Sequence, residues 1–547
     1  MKVTGSELVA RALGQHDVGK LFFIMGGPIN DAANACGKAG IGLVDVRHEQ
    51  AAAMMAQAYA RVLGRPGVCM AASGPGTINL TTGLANALID CAPVVALGGS
   101  SPISQRGIGA FQDVDQLAIM RPVTKWAERV HETRRIPELV AMAFRQALSG
   151  KPGPVFLDLP GDVLYGQVEE EDVVWPQIYD PRDNAPATSQ GKVDAVIDLL
   201  RSAKRPIILS GSGVLWGKGE VSFQNFIHQT GIPFYTTPQG RGVVPEDHEF
   251  FYAHARSTAF KEADLVIVAG TRLNYVFSHG RSPRFAPDAK FVRIDVDAAE
   301  LSSTERLAVG IVGDVGTVLE QLSAALETAG DRVSYENWRD RLATIEAQRA
   351  PDAELKMSTD QVPIHPLRLC KEIRDFIDRD TILVVDGQEI LNYGRQSIPS
   401  FKLGHRLNSG PFGTMGVGLP FGVGAKVAKP DHKVVVLHGD GSFGLNAMEL
   451  DTAVRHGLPI LIVISLNGGW TADPEKIKPG RDLGYTRFDK FAEIFGCYGE
   501  YVERPEDIAA ALRRGAEAVA GGRSALINVV TDWKARAGTA SFTAYTT

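Results

Sequence analysis

Lys433–Trp470 reads KVVVLHGDGSFGLNAMELDTAVRHGLPILIVISLNGGW, and this stretch predicts the fold. An apolar run from Lys433 to Leu437 breaks into a Gly-Asp-Gly-Ser loop. A helix-length segment then leads to a second apolar run, which ends at Asn467. Apolar runs that alternate with helix-length segments are typical of parallel α/β sheets. The ends of both strands should therefore meet at one edge of a sheet, where open α/β sheets bind ligands.

The loop between the two runs offers the groups that an anionic ligand and a cation need. Gly439 and Gly441 allow the backbone to approach a phosphate closely, and a helix that starts here favours a negative charge. Asp440 and Asn467 supply hard oxygen ligands of the kind that Mg²⁺ prefers. The stretch therefore predicts a site for a diphosphate with a divalent cation.

The same alternation continues through all 547 residues. Two segments rich in turn formers, Pro176–Gly191 and Gln348–Pro366, indicate linkers that divide the chain into residues 1–175, 190–345 and 365–547. We expect an α/β protein with three parallel-sheet domains. The first and third segments have the same order of helices, strands and glycine-rich loops, which indicates an internal duplication.

Composition excludes several classes of protein. Hydrophobic residues make up 44% and charged residues 22%, which is ordinary for a globular chain, and a net charge of −6 offers no field that would recruit nucleic acid or an anionic membrane. The five cysteines are scattered and none lies in a Cys-x-x-Cys pair, so neither a disulfide framework nor a zinc knuckle is indicated. The longest apolar run, Leu458–Leu466, is about half as long as a membrane span. We expect a soluble protein of the reducing cytoplasm.

The spacing of the Gly-Asp-Gly loop and the following asparagine resembles the diphosphate-binding motif of thiamine diphosphate (ThDP) enzymes, since 25 residues separate Gly441 from Asn467. The resemblance implies the three-domain architecture of that family. It also implies that ThDP binds here with Mg²⁺, its diphosphate lying against Gly439, Gly441 and Ser442. The residues implied to hold the metal are Asp440, Asn467 and, through its backbone carbonyl, Gly469.

Two elements of the first segment resemble the same family. Val44–Gln50 (VDVRHEQ) places Glu49 at a helix start. In the family, a glutamate at this position hydrogen-bonds N1′ of the cofactor pyrimidine and promotes loss of the thiazolium C2 proton. Ser73–Asn79 (SGPGTIN) resembles the family's SGPG loop, which implies that Gly74 and Asn79 contribute to cofactor binding.

A third element, Gly413–Gly418 (GTMGVG), resembles the segment that bends the cofactor. The resemblance implies that Met415 lies between the two rings of ThDP and that the carbonyl of Gly413 accepts a hydrogen bond from the 4′-amine. In this family the cofactor lies between the first domain of one chain and the third domain of another. The resemblance therefore implies at least a homodimer, and the family commonly forms tetramers.

The middle segment resembles the branch of the family that acts on acyl-CoA. Val266–Gly280 (VIVAGTRLNYVFSHG) and Phe291–Asp297 (FVRIDVD) are similar to the region that binds ADP in that branch, whereas acetohydroxyacid synthases use the related site for FAD. Arg272 could face a phosphate and Asp295 could hold a ribose hydroxyl. A buried salt bridge between structural residues is the alternative for these two side chains.

Ala110–Asp113 (AFQD) resembles the lyases and synthases more than the decarboxylases, with Gln112 as a hydrogen-bonding support. The resemblance implies a carbon–carbon lyase that cleaves a 2-hydroxyacyl-CoA to formyl-CoA and an aldehyde or ketone. Met25–Pro28 (MGGP) is nearer to the synthase form. An oxalyl-CoA decarboxylase and an acetohydroxyacid-synthase-like carboligase with FAD therefore stay open as alternatives.

Lyase chemistry needs a base for the substrate hydroxyl, and the candidates are Glu493, His48 and Glu389. Glu493 lies beside a stripe of phenylalanines in Arg487–Gly496, which predicts apolar surroundings and a raised pKa, and an exposed helix glutamate is the alternative. The tail, Lys534–Thr547, resembles the lid that closes over the substrate in the acyl-CoA branch, although a frayed terminus is equally consistent with its composition.

Overall fold

A computed structural model of the chain describes residues 1–301, 306–328, 333–470, 475, 477 and 479–537. It contains three parallel sheets, of six, five and six strands, each accompanied by helices. This confirms the predicted α/β architecture of three parallel sheets. The strands are buried along most of their length, as expected for parallel strands that helices cover.

Residues 1–175 form the first domain, which contains a six-stranded sheet, its helices and a separate short antiparallel pair made by its first and last strands. Its strands are β1 Lys2–Thr4, β2 Lys20–Phe23, β3 Gly42–Asp45, β4 Gly67–Ala71, β5 Val94–Ser100, β6 Trp126–Arg129, β7 Val155–Pro160 and β8 Gln167–Glu169. Its helices are α1 Gly5–Gln15, α2 Asn30–Lys38, α3 Glu49–Leu63, α4 Pro75–Asn79, α5 Thr81–Ile89, α6 Gln116–Met120, α7 Ile136–Leu148 and α8 Gly161–Tyr165.

The second sheet has five strands and a hydrophobic core of its own. Its strands are β9 Pro206–Ser210, β10 Phe234–Thr236, β11 Leu265–Ala269, β12 Lys290–Asp295 and β13 Leu307–Val312. Its helices are α9 Gln190–Ser202, α10 Ser212–Trp216, α11 Glu220–Thr230, α12 Arg256–Glu262, α13 Ala298–Leu301, α14 Val315–Thr328 and α15 Glu336–Met357.

The third sheet again has six strands. Its strands are β14 Ile382–Asp386, β15 Arg406–Leu407, β16 Val434–Gly439, β17 Leu461–Leu466, β18 Tyr498–Val502 and β19 Ala525–Val530. Its helices are α16 Pro366–Phe376, α17 Glu389–Ser397, α18 Gly418–Ala428, α19 Asp440–Leu445, α20 Glu449–Arg455, α21 Phe488–Ile494 and α22 Ile508–Ala520.

The first and third sheets have the same topology. Their strand orders are β3-β2-β4-β5-β7-β6 and β15-β14-β16-β17-β19-β18, and every pairing within them is parallel. The same order of elements along the chain thus builds the same arrangement in space. In this correspondence α3, which follows β3, is equivalent to α18, which follows β15.

The equivalent helices α3 and α18 pack against each other, so the first and third domains share one apolar core. Their close approach depends on Gly424, where a Cβ would lie 2.5 Å from the carbonyl oxygen of Met55. At the other end of α3, the buried Arg61 pairs with Asp90 at 3.2 Å and donates to the carbonyls of two residues at the end of β15. The core that faces the site is therefore built by residues far apart in sequence.

One predicted linker differs from the structure. Residues 348–357 of the turn-rich segment Gln348–Pro366 belong to α15, which contains Pro351 and ends at Met357. Alanine, glutamate, leucine and lysine in this segment are good helix formers, and their combined propensity outweighs the one proline. Most of the predicted lid, residues 538–547, lies outside the described part of the chain. Within the described part, no helix is long and apolar enough to cross a membrane.

Candidate active site

A cavity of about 40 Å³ opens at the carboxyl edge of the third sheet. Seven residues predicted from the sequence line it together, and they come from three separate loops. They are Met415, Gly439, Asp440, Gly441, Ser442, Asn467 and Gly469. The structure thus brings together the whole predicted diphosphate and metal group, together with the residue expected to bend the cofactor.

Asp440 is the first residue of α19 and is buried at the end of β16. Its Oδ1 accepts from the N–H of Gly441 at 2.8 Å, and its Oδ2 accepts from the N–H groups of Gly468 and Gly469 at 2.8 and 3.1 Å. Burial raises the pKa of Asp440 to about 6, and these three N–H groups oppose that rise. The carboxylate is therefore held in one orientation beside Asn467.

The oxygen atoms and glycines around Asp440 suit a magnesium ion with a diphosphate. The described residues contain no cluster of three or more His, Cys, Asp or Glu side chains that could hold a metal, so a cation here would need amide, carbonyl and phosphate oxygens besides Asp440. A Cβ at Gly441 would lie 2.8 Å from the ring of Trp470, so a larger residue at this lining position would displace that ring. The residues present therefore fit the predicted cofactor.

The turn at residues 413–418 (the Met415 turn) is held by the side chain of Asp386, which sequence reasoning missed. The buried Oδ2 of Asp386 accepts from the N–H groups of Gly416 and Gly418, at 2.9 Å each. Burial raises the pKa of Asp386 to about 6. The signal for it was the Asp-Gly pair at the carboxyl end of β14, which is the same edge of the sheet.

The side chain of His438, beside this turn, was also missed. Its ring is fully buried under Gly418, and burial lowers its pKa to about 3. Its Nδ1 lies 3.2 Å from the hydroxyl of Ser442, and that hydroxyl donates to the carbonyl of Gly439. A neutral imidazole thus fixes the hydroxyl that is predicted to face the diphosphate.

A second group of predicted residues gathers at the edge of the first sheet. Glu49 is the first residue of α3, and its Oε2 accepts from Asn79 Nδ2 at 3.0 Å. His48 caps this helix by accepting from the N–H of Gln50 at 3.2 Å. The position of a Cβ at Gly76 is 3.2 Å from Glu49 Oε1, so the SGPG loop lies directly against the carboxylate. Glu49 and the SGPG loop, both predicted to bind the cofactor, are therefore neighbours in the structure.

Gln112 joins the same group from the loop after β5. Its Oε1 accepts from the hydroxyl of Ser73 at 2.7 Å, and its carbonyl oxygen would lie 2.6 Å from a Cβ at Gly74, whose φ is +59°. Gln116, which sequence reasoning missed, accepts from the N–H of Gly74 at 3.0 Å and donates to Asp158 at 2.9 Å. Two glutamines thus hold the SGPG loop in a conformation that needs glycine.

Among the residues that the structure describes, the second group does not line the cavity at the third sheet. The residues around the cavity at the third sheet come from the third domain alone, and Glu49, Gly74, Asn79 and Gln112 are not among them. A ligand that uses both groups would therefore need a second surface beside this cavity.

The two predicted nucleotide residues line a larger cavity of about 410 Å³, bordered by all three domains. Asp295 ends β12, and burial raises the pKa of its carboxyl group. Arg272 donates to the carbonyl of Ile89 in the first domain. Other basic side chains around this cavity are Lys151, Arg182 and Arg395.

The three candidate bases occupy different places. The predicted apolar surroundings of Glu493 are wrong: its side chain is 42% exposed and pairs with Lys490 at 2.8 Å, because α21 turns its phenylalanine stripe inward and Glu493 outward. Glu389 lines the cavity at the third sheet and accepts from the N–H of Ala537 at 2.9 Å. His48 is exposed at the start of α3.

Comparison with known proteins follows the same three-part division. Residues 3–119, 193–322 and 392–529 match the N-terminal TPP binding domain, the central domain and the C-terminal TPP binding domain of thiamine pyrophosphate enzymes. The chain is 32% identical to human 2-hydroxyacyl-CoA lyase 1, over 94% of this chain and 92% of that protein. It is 32% identical to oxalyl-CoA decarboxylase of Escherichia coli (96% and 95%) and 31% identical to a probable acetolactate synthase of Mycobacterium bovis (96% and 95%).

Proposed function

The chain belongs to the thiamine pyrophosphate (thiamine diphosphate) enzyme family, and from this premise we propose that it is a lyase that cleaves a 2-hydroxyacyl-CoA to formyl-CoA and an aldehyde or ketone. Identity to relatives does not select this activity, since the three kinds of relative differ by one percentage point. Two features support the proposal together. Gln112, in a loop that resembles the lyases and synthases more than the decarboxylases, is bonded to the SGPG loop beside Glu49. The middle segment, with Arg272 and Asp295, resembles the branch that acts on acyl-CoA rather than the synthases.

Bound ThDP would supply a thiazolium group that stabilises the negative charge left on the thioester carbon when its bond to the neighbouring carbon is cleaved. The chain's own residues hold and orient it. Asp440, Asn467 and the carbonyl of Gly469 are proposed to hold Mg²⁺, with Gly439, Gly441 and Ser442 against the diphosphate. Met415 and Gly413 are proposed to fix the ring orientation. Glu49 is proposed to hold a proton at N1′ of the pyrimidine.

A lyase of this kind must also remove the proton from the hydroxyl of the substrate. Glu493 stays a candidate for this step, with its exposed carboxylate paired to Lys490. Glu389 is a second candidate because it lines the cofactor cavity. Glu493→Gln, Glu389→Gln and His48→Ala should separate the candidates: the variant of the true base loses carbon–carbon cleavage while it still binds the cofactor.

The activity can be tested with the purified chain, ThDP, Mg²⁺ and formyl-CoA. A panel of aldehydes and small ketones is added, and the products are examined by mass for a 2-hydroxyacyl-CoA. Such a product supports the lyase, and the accepted carbonyl compounds describe the acyl pocket. No product, together with CO₂ release from oxalyl-CoA, would assign a decarboxylase. Neither reaction, together with turnover of pyruvate by a protein that carries FAD, would assign a synthase.

Two further parts of the proposal concern binding. An ADP molecule in the cavity of about 410 Å³ would find Arg272 and Asp295 on its walls. Calorimetric titration with ADP, repeated on Arg272→Ala, tests that assignment. The cofactor is proposed to lie between two chains, because Glu49 and Asp440 lie in different domains and Glu49 is not among the described residues that line the cavity of Asp440. Sedimentation with and without ThDP tests whether a homodimer or a tetramer forms.

A further inference from the structure

Glu449, at the start of α20 in the third domain, reaches across to the first domain. Its side chain is 1% exposed, and its Oε1 accepts from two consecutive backbone N–H groups, those of Arg47 and His48, at 3.1 Å each. Its Oε2 accepts from the hydroxyl of Thr452 at 2.7 Å. The two clamped peptide groups lie immediately before Glu49 in the chain.

The contact determines how α3 begins. The first N–H groups of a helix have no partner within it, and the groups just before them depend on outside acceptors as well. His48 has an extended backbone, with φ −149° and ψ 137°, and Glu49 follows as the first helical residue. Because the direction of a side chain follows from the backbone that carries it, the acceptor at Glu449 sets where the Glu49 carboxylate points.

A second contact from the same segment supports this reading. Asn446, three residues earlier, accepts from the side chain of Gln50 at 2.9 Å and donates to the carbonyl of Gly416 at 2.7 Å. The short segment from Asn446 to Glu449 thus holds the chain on both sides of Glu49 and also holds the Met415 turn.

A carboxylate at this position is costly. Burial raises the pKa of Glu449 to about 7, while the hydroxyl of Thr452 and the two N–H groups oppose that rise. The contribution of this side chain therefore lies in the oxygen atom that it offers to the two N–H groups. The other charged or titratable groups around this contact are Asp45, Arg47, His48, Asp451, Arg455 and His456.

We propose that Glu449 is a positioning residue for Glu49: its carboxylate fixes the Arg47–His48 backbone and thereby directs Glu49 toward the proton that it handles. The proposal rests on the proposed role of Glu49 in activating the cofactor. It does not depend on which acyl-CoA, if any, is the substrate.

The test compares Glu449→Ala and Glu449→Gln with the matched control Asp451→Asn. Asp451 lies on the same helix and also contacts Arg47, but through the guanidinium, at 3.3 Å. In Glu449→Ala without cofactor, amide hydrogen exchange in the peptide covering residues 46–50 should accelerate at least about tenfold. With ThDP and Mg²⁺ bound, exchange of the C2 proton, followed by NMR, should slow about 100-fold.

Glu449→Gln keeps one oxygen for the two N–H groups and an amide for Thr452, so it should recover most of both effects. Asp451→Asn should behave as the parent chain. Parent-like C2 exchange in Glu449→Ala would overturn the proposal. If that variant does not fold, Glu449→Asp, which withdraws the carboxylate by one methylene, decides in its place, and parent-like C2 exchange there would also overturn it. A parent chain that exchanges the C2 proton but forms no acyl-CoA product would refute only the proposed lyase activity.

Discussion

The first and third domains share one strand order but carry different chemistry in equivalent loops. After β4 the first domain has Ser-Gly-Pro-Gly, whereas after β16 the third domain has Gly-Asp-Gly-Ser. Glu49 begins α3 in the first domain, while the Met415 turn precedes the equivalent helix α18 in the third. The fold therefore determines where functional groups stand, at the carboxyl ends of parallel strands, and the loop residues determine what they do.

The difference assigns distinct tasks to the two halves. The third domain gathers a carboxylate, an amide and glycines around a cavity, which suits a cation and phosphate groups. The first domain presents a carboxylate beside neutral amides and a hydroxyl, which suits proton handling. The first domain lacks the cation and phosphate site, and the third domain lacks the group for proton handling. A complete site therefore needs one domain of each kind.

The largest effect is expected when the carboxylate of the first domain is removed. Glu49→Gln should reduce exchange of the C2 proton of bound ThDP about 1,000-fold, because the amide cannot act as the proton-handling group. Its affinity for ThDP, measured by calorimetry, should change little. Asn79→Ala, which removes only the partner of Glu49, should have a much smaller effect. Undiminished exchange in Glu49→Gln would contradict the role given to the first domain.

The packing of the two equivalent helices comes next. In Gly424→Val a Cβ would lie 2.5 Å from the carbonyl oxygen of Met55, which is backbone and cannot rotate away. We expect a loss of about 3 kcal/mol in the free energy of unfolding, measured with urea. Gly444→Ala is the control, since a Cβ there meets nothing within 4 Å. Unchanged stability of Gly424→Val would argue that the two domains do not share a core.

The metal site of the third domain should show a more moderate effect. Asp440→Ala should weaken ThDP binding at least about tenfold in the presence of Mg²⁺ and leave the weak binding without Mg²⁺ nearly unchanged. Ser73→Ala alters the equivalent loop of the first domain and should leave the dependence on Mg²⁺ as it is in the parent. An equal dependence on Mg²⁺ in Asp440→Ala and the parent would refute the metal assignment.

The smallest effect concerns pH and the contact between the halves. The pKa of Glu449 is raised to about 7, so its contribution to stability is fully present below the ordinary carboxyl pKa and is lost as pH rises through 7. Glu449→Gln should therefore gain about 1 kcal/mol relative to the parent between pH 6 and pH 7, measured by chemical denaturation at both values. A difference that does not change with pH would show that the pKa of this carboxyl group is not raised in the native chain.

Much of the fold and of the third-domain site could be predicted because the signals are local. Asp440 and Asn467 follow directly on the strands that position them, and the same holds for Glu49 and α3. The contact of Glu449 with Arg47 spans 402 residues, and no local pattern records it. The prediction for Glu493 was wrong for a different reason. The phenylalanine stripe indicated which face of α21 is buried, but Glu493 lies on the outer face, where it pairs with Lys490 three residues earlier.

The shared core of α3 and α18 also has a consequence for synthesis. About 350 residues separate the end of α3 from the start of α18, and the central domain, with its own core, is made in between. At synthesis rates of about 5–20 residues per second, the apolar side of α3 remains unpacked for roughly 20–70 s until its partner helix has been made. The length of chain between the two helices, to which the central domain contributes, thus sets how long the nascent first domain exposes a surface on which it can aggregate.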